Sequence, residues 1–188
     1  MNWWKHLRTI NAHKKMVRKL CFKLGLYKQG LLHDLSKYMP AEFLMGAKYY
    51  QGYRSPNNKE RETIGYSSAW LHHKGRNKHH YEYWVDYGLH GEKTLVGVEM
   101  PLNYAAEMLA DRIAASKNYE KENYTDESPL KYYEKGKDNK IMHEATAALL
   151  HSWLVMLSEQ GEDAVLAHVK ELLKEEKKKK KEKYSKIS

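Results

Sequence analysis

One cysteine, Cys21, is all this chain of 188 residues contains, so an internal disulfide is excluded. Its neighbours Leu20, Phe22 and Leu24 read as the setting of a buried thiol, and a reducing compartment is expected. Nowhere does the sequence reach the roughly 18 consecutive apolar residues that a membrane-spanning helix needs. The opening Met1-Asn2-Trp3-Trp4-Lys5-His6 lacks the apolar core of a secretion signal, and a cytoplasmic location is the expectation. Period-two alternation is never sustained, which argues against strands, and there is no internal repeat.

What is present is a folding composition. Hydrophobic residues make up 41% of the chain, with fifteen Tyr and five Trp, which is far from the profile of a disordered segment. The length suits one domain with a sizeable core. The net charge of +9 is unevenly placed: residues 170–188 hold nine Lys against four Glu, leaving only +4 on the body. A weakly basic body fits an anionic small molecule as well as nucleic acid.

The apolar pattern is helical nearly throughout. Ile10, His13, Val17, Leu20, Cys21 and Leu24 recur at three- and four-residue spacing, with Gly25 as the stop. A second helix is expected over Gly30 to Lys37, and Pro40 with Glu42 opens a third. A loop over residues 52–58 precedes a fourth helix from about Glu60 to His73, broken by residues 74–77. Tyr81 to Tyr87 reads as a short aromatic helix ended by Gly88 and Gly91. Pro101 opens a long helix whose stripe is Tyr104, Met108, Asp111 and Ala115. Residues 118–140 read as a connection with about one helical turn, and two helices follow, Ile141 to Ser158 and Asp163 to about Lys174. The expected fold is therefore all-α: a single bundle of six to eight helices over residues 1–174, with a disordered lysine-rich tail over 175–188.

Chemistry concentrates in Leu31-Leu32-His33-Asp34-Leu35-Ser36-Lys37, where an imidazole and a carboxylate stand side by side behind two leucines. A buried carboxylate needs a partner, and a divalent cation ligated jointly by His and Asp supplies one. His13 and Asp111 occupy positions in apolar stripes, and two His-His doublets, His72-His73 and His79-His80, stand between them. Each residue alone has an ordinary explanation: a satisfied core histidine, an ion pair with Arg112, or an Asp capping a short helix. Burying all of them without a common purpose would cost several kcal/mol, and a shared metal removes that cost together. His72 and His73 are alternatives as ligand; Ala69 and His73 share a helix face.

The order His13, His33-Asp34, Asp111 resembles the HD-domain superfamily of metal-dependent phosphohydrolases. The resemblance to its HD-GYP branch is wider. There the His-Asp pair runs on into Gly-Lys, here Ser36-Lys37, with a glutamate following, here Glu42. A single histidine then precedes a His-His-x-Glu element, here His79-His80-Tyr81-Glu82, and an Ala-Asp-x-x-x-Ala helix, here Ala110 to Ala115. The resemblance spans about Ala12 to Ala115. The Gly-Tyr-Pro signature is absent after Glu82, where Tyr83-Trp84-Val85-Asp86 stands, which argues against cyclic dinucleotide hydrolysis. The stretch from His72 to His80 is also similar to a small group of uncharacterised bacterial and phage HD-like proteins.

The resemblance implies a first metal held by His13, His33, Asp34 and Asp111, with Asp34 bridging to a second ion on His73, His79 and His80. One or two divalent ions are expected, with Fe, Mn, Zn, Co, Ni and Mg all compatible with such ligands. Phosphoryl hydrolysis is the implied chemistry, acting on a nucleotide or another phosphorylated small molecule. Asp34 would accept a proton, and Lys37, Arg76 and Lys78 would contact the anion. Two other classes fit the same residues. A few HD relatives hold two irons and use oxygen, and a non-catalytic module could keep a structural metal and bind nucleic acid through the basic tail. The latter is the less favoured reading, since a charge run at a terminus is ordinarily solvated.

Overall fold

The computed structural model describes residues 1–89, 94–136 and 140–185. Among them are nine α-helices, where six to eight were expected, and one two-stranded hairpin, so the expected all-α class holds. No described helix is long and apolar enough to cross a membrane.

The first helix, α1 (Trp3–Lys23), buries the expected stripe: Ile10, His13, Val17, Leu20 and Cys21 all face inward. It ends at Gly25, whose φ of +76° is the left-handed conformation glycine adopts without a Cβ penalty. Burial pushes the Cys21 thiol pKa up, and nearby carboxylates at Glu107 and Asp111 add to that, so it packs as a neutral apolar group. The long helix α6 (Leu102–Glu120) lies against α1 and is the hub of the core. Ala105, Ala106, Ala110 and Ala114 are fully buried, and having no atoms past Cβ they let neighbouring helices approach closely. Around this pair close α8 (Glu144–Gln160), through Leu150, Trp153, Leu154 and Leu157, and α9 (Glu162–Ser185), through Val165, Leu166, Val169 and Leu173.

Several elements differ from their sequence expectation. The second helix, α2 (Tyr27–Leu32), stops at His33 because Asp34 takes a left-handed backbone, and Leu35–Tyr38 continue as a 3₁₀ turn. After α3 (Pro40–Lys48), the expected fourth helix is two, α4 (Pro56–Ile64) and α5 (Ser68–Lys74). Gly65 at φ +84° ends α4, and the Ser67 hydroxyl caps α5 by accepting from the Trp70 N–H at 3.0 Å. The segment 118–140 carries the end of α6, a 3₁₀ turn and α7 (Ser128–Glu134). Helix α9 runs on through the lysine run to Ser185, where a disordered tail is expected; Lys and Glu are good helix formers, and Glu176 pairs with Lys180 one turn on. Gly91, read as a terminator, lies outside the described residues.

The aromatic segment is not a helix. Tyr81–Trp84 form a 3₁₀ turn leading into β1 (Val85–Tyr87), which pairs antiparallel with β2 (Leu95–Gly97), Val85 opposite Gly97. Three-residue strands are too short for alternation to be read. Gly97 is required by packing: a Cβ there would lie 2.3 Å from the backbone nitrogen of His143. Gly97→Ala is expected to destabilise the fold by about 1–3 kcal/mol, since backbone must move. An unchanged urea midpoint would contradict this contact.

Candidate metal centre

Four separate elements bring the ligand-type residues together. Helix α1 supplies His13, the α2 break His33 and Asp34, α5 and the turn after it His73, His79 and His80, and α6 Asp111. His33 and Asp34 are 2% and 1% exposed, while Leu31, Leu32 and Leu35 around them are all about half exposed. The leucines therefore do not bury the pair, contrary to the sequence argument. The left-handed turn at Asp34 does, by turning His33 and the carboxylate inward while the leucines point out.

The carboxylate of Asp34 stands between two sets of imidazoles. Its Oδ2 lies 3.3 Å from His33 Nε2 and 3.7 Å from His13 Nε2, and Asp111 Oδ1 completes this set at 2.9 Å from His13 and 3.5 Å from His33. Its Oδ1 faces the other way, 3.3 Å from the Nε2 atoms of both His73 and His79; His80 Nε2 lies 2.9 Å from that of His73. Ligands placed about 2.1 Å from a common ion are separated by roughly 3.0 Å in an octahedron and 3.4 Å in a tetrahedron. Both sets have that spacing. Among the described residues, His13 Nε2, His33 Nε2, His79 Nε2 and Asp34 Oδ1 are buried without a well-aligned hydrogen bond, and Asp34 Oδ2 has the Lys37 ammonium at 2.6 Å. Such atoms are costly unless a cation takes them. These groups can hold a metal ion, and Asp34 belongs to both.

The far nitrogens of the rings are fixed from behind. Glu107 Oε1 accepts from His33 Nδ1 at 2.9 Å and lies 3.2 Å from His79 Nδ1; its Oε2 accepts from Gln29 Nε2 at 2.9 Å. Glu42 accepts from His73 Nδ1 at 2.8 Å and from His72 Nδ1 at 2.6 Å. The bonds to His33 and His73 turn the Nε2 atoms of those rings toward the centre, the orientation that metal-ligating histidines require. Sequence reasoning noted Glu42 only as part of a motif and missed Glu107, although it precedes Asp111 by four residues on the same helix face. Glu107→Gln is expected to weaken metal binding roughly 10- to 100-fold, as measured by competition with a chelator. Unaltered affinity would remove Glu107 from the site.

Electrostatics follow the same layout. Burial disfavours the ionised form of Asp34, yet His33, Lys37 and His73 hold its carboxyl well below the usual range. Burial likewise opposes ionisation of Glu107, but hydrogen bonds from His33 and His79 bring it down to about 2. His80 is driven well below an ordinary imidazole by burial and by His79 and His73, which keeps its lone pair free.

Of the alternatives at the first doublet, His73 is buried and faces the centre, whereas His72 is turned to Glu42. Lys37 lies on the 3₁₀ turn with Nζ 2.6 Å from Asp34 Oδ2. The other two expected anion contacts are elsewhere. Arg76 donates to the His72 carbonyl and Lys78 lies over the rings of Tyr83 and Tyr104; neither lines the cavity above the centre. Their neighbours in sequence misled because the chain turns between residues 74 and 80. That cavity, about 720 Å³, is floored by His13, His73, His80, Asp111 and Lys37, and its walls bring in Arg54, Arg61, Arg112 and Lys135. His143, by contrast, has a structural role, accepting from Ala145 N–H to cap α8.

Fold and site together define a helical protein with a largely buried cluster of five histidines and two aspartates, Asp34 common to both sets, beneath an open cavity. The chain belongs to the family of unknown function DUF5662, which it matches over residues 2–156. That span includes every ligand-type residue above and stops within α8. No curated protein and no solved structure matches the chain.

Proposed function

We propose that this protein is a metal-dependent phosphohydrolase acting on a phosphorylated small molecule. The observation that supports the reading is the division of Asp34: one oxygen toward each imidazole set, buried behind His13, His73, His80 and Asp111, which floor a cavity with basic walls. His13, His33, Asp34 and Asp111 would hold one ion, and Asp34, His73, His79 and His80 a second. Bound divalent ions would supply Lewis acidity toward a phosphoryl oxygen and make water a better nucleophile.

The chain's own groups have separate tasks. Lys37 holds Asp34 in place and presents its ammonium to the cavity, where a phosphate oxygen can accept from it. Burial lowers the Lys37 pKa, but Asp34 and Asp111 more than reverse this, so the ammonium keeps its proton. Glu42 and Glu107 hold the imidazoles in one orientation, so no reorganisation is needed when substrate arrives. A volume of about 720 Å³ accommodates a whole small molecule rather than a phosphate alone.

The test is hydrolysis of a panel of phosphate monoesters by tag-free protein reconstituted separately with manganese, zinc and iron. Lys37→Met is expected to keep its metal and lose about a hundredfold in kcat/KM. The same ligands accept iron. Oxygen consumption by the iron form, with no ester hydrolysed by any form, would replace this reading with an oxidative one.

A further inference from the structure

Residues 1–33 contain eight Lys and Arg and no Asp or Glu. The body's charge of +4 therefore divides into +8 over residues 1–33 and −4 over residues 34–169. Among the described residues, only Lys23 of these eight pairs with a carboxylate, at Glu162 and Asp163. Helices α1 and α2 thus turn an unbalanced positive field toward solvent.

The same two helices and the 3₁₀ turn after them form one continuous surface. Helix α2 crosses α1 at Gly30, where a Cβ would lie 2.9 Å from Cys21 Cβ and 3.3 Å from the Arg18 carbonyl oxygen. Phe22 and Tyr27 meet edge to face across the junction, with ring centroids 5.3 Å apart. Further along, Lys14 Nζ lies 5.1 Å from the Tyr38 ring centroid, and the Tyr38 hydroxyl donates to Asn11 Oδ1 at 2.7 Å. On this surface Tyr27, Leu31, Leu32 and Leu35 are between 48% and 61% exposed, beside the exposed Arg18 and Lys28. One turn of chain sends His33 and Asp34 inward to the ligand sets and its leucines outward among cations. An aliphatic cluster left in water beside unpaired cations marks a surface for a partner that is both anionic and apolar.

We infer that this face docks on the surface of a lipid bilayer that contains anionic phospholipid. Arg18 and Lys28 meet the headgroup phosphates, and Leu31, Leu32 and Leu35 enter the boundary between headgroups and acyl chains. Other occupants use the patch less fully. A second copy seated by the same face would bring two sets of cations together. Nucleic acid would engage the cations, but an aliphatic side chain offers a base neither a ring to stack on nor a hydrogen bond. An acidic peptide helix seats its apolar face in a groove, whereas the leucines line neither the cavity above the metal centre nor the small one beside Trp84. Attachment is peripheral, since no described helix is long and apolar enough to cross a membrane. It needs no metal and is independent of the reaction proposed above.

The test is co-sedimentation of the full chain with vesicles of phosphatidylcholine alone, or of phosphatidylcholine and phosphatidylglycerol in equal parts. Binding is expected to the mixed vesicles only, and to weaken as salt rises. Leu31→Gln with Leu32→Gln alters no charge, at positions about half exposed, and is expected to weaken binding at least about tenfold. Arg18→Gln with Lys28→Gln should cost about as much. The leucine pair is decisive, because the lysine-rich end of α9 can attract an anionic vesicle by charge but does not respond to those substitutions. No binding by the wild type, or binding that the leucine substitutions leave unchanged, overturns the inference. So does a wild-type dimer that the leucine pair dissociates, which assigns the face to a second copy. Single-stranded DNA binding that falls equally in the leucine pair would assign it to nucleic acid instead.

Discussion

Asp34→Asn is expected to empty both metal positions in a single substitution. The two oxygens of Asp34 face different imidazole sets, so no other residue of the cluster is placed to affect both directly. Asparagine keeps the side-chain volume and tolerates the left-handed backbone at φ 53°, so the turn survives while the charge and one acceptor are lost. The amide would also point a donor at nitrogens that need an acceptor or a cation. Elemental analysis of the purified variant should fall from about two equivalents to traces, and ester hydrolysis by about a thousandfold or more, roughly 4 kcal/mol in the barrier. His80→Ala provides the contrast, because it belongs to one set only and should leave the other ion bound. Full metal content in Asp34→Asn would sink the bridging assignment.

Metal removal should lower the melting temperature far more than a surface change would. An ion that binds only the folded state stabilises it by about 4 kcal/mol at a thousandfold excess over its dissociation constant. For a chain of this size each kcal/mol moves the midpoint roughly 2–4 °C, which gives about 8–16 °C for each ion. The direction follows from the four buried atoms of the cluster, His13, His33 and His79 Nε2 and Asp34 Oδ1, that have no aligned hydrogen bond, since a cation satisfies them together. Thermal scans with and without chelator measure the difference, and Asp34→Asn should not respond to chelator. A melting temperature indifferent to chelation in the wild type would mean the cluster is satisfied internally.

Much of this architecture was legible in the residues. The stripe of α1 and the stop at Gly25 follow directly from spacing, and His13 inside that stripe pointed to the centre. Asp111 was legible for a reason that needs amending. Its apparent stripe of Met108, Asp111 and Ala115 lines the cavity, with Met108 at the edge of the core, while the rest of the core face of α6 is carried by Ala105, Leu109 and Ile113. Alanine hardly registers in hydrophobic periodicity, so the core face was hidden and the wall took its place. The break at Asp34 was not legible, because Leu31, Leu32 and Leu35 look like buried helix residues and only tertiary contacts show that they face out. The basic wall was misassigned to Arg76 and Lys78 on grounds of proximity along the chain. Arg54, Arg61 and Arg112 reach the cavity from three different elements, and only the packing of those elements brings them together.

Glu107 has one further consequence. A single oxygen of this carboxylate serves the Nδ1 atoms of His33 and His79, one from each imidazole set. Whatever positional freedom Glu107 loses when the first ion fixes one ring is already lost when the second ion arrives. If an ion binds each set, this shared carboxylate would favour loading both together, against the repulsion between two cations, and thermodynamic reciprocity requires each ion to change the affinity for the other by the same factor. Should the carboxylate outweigh the repulsion, scarcity would yield a mixture of apo and dinuclear molecules rather than a population of half-loaded ones.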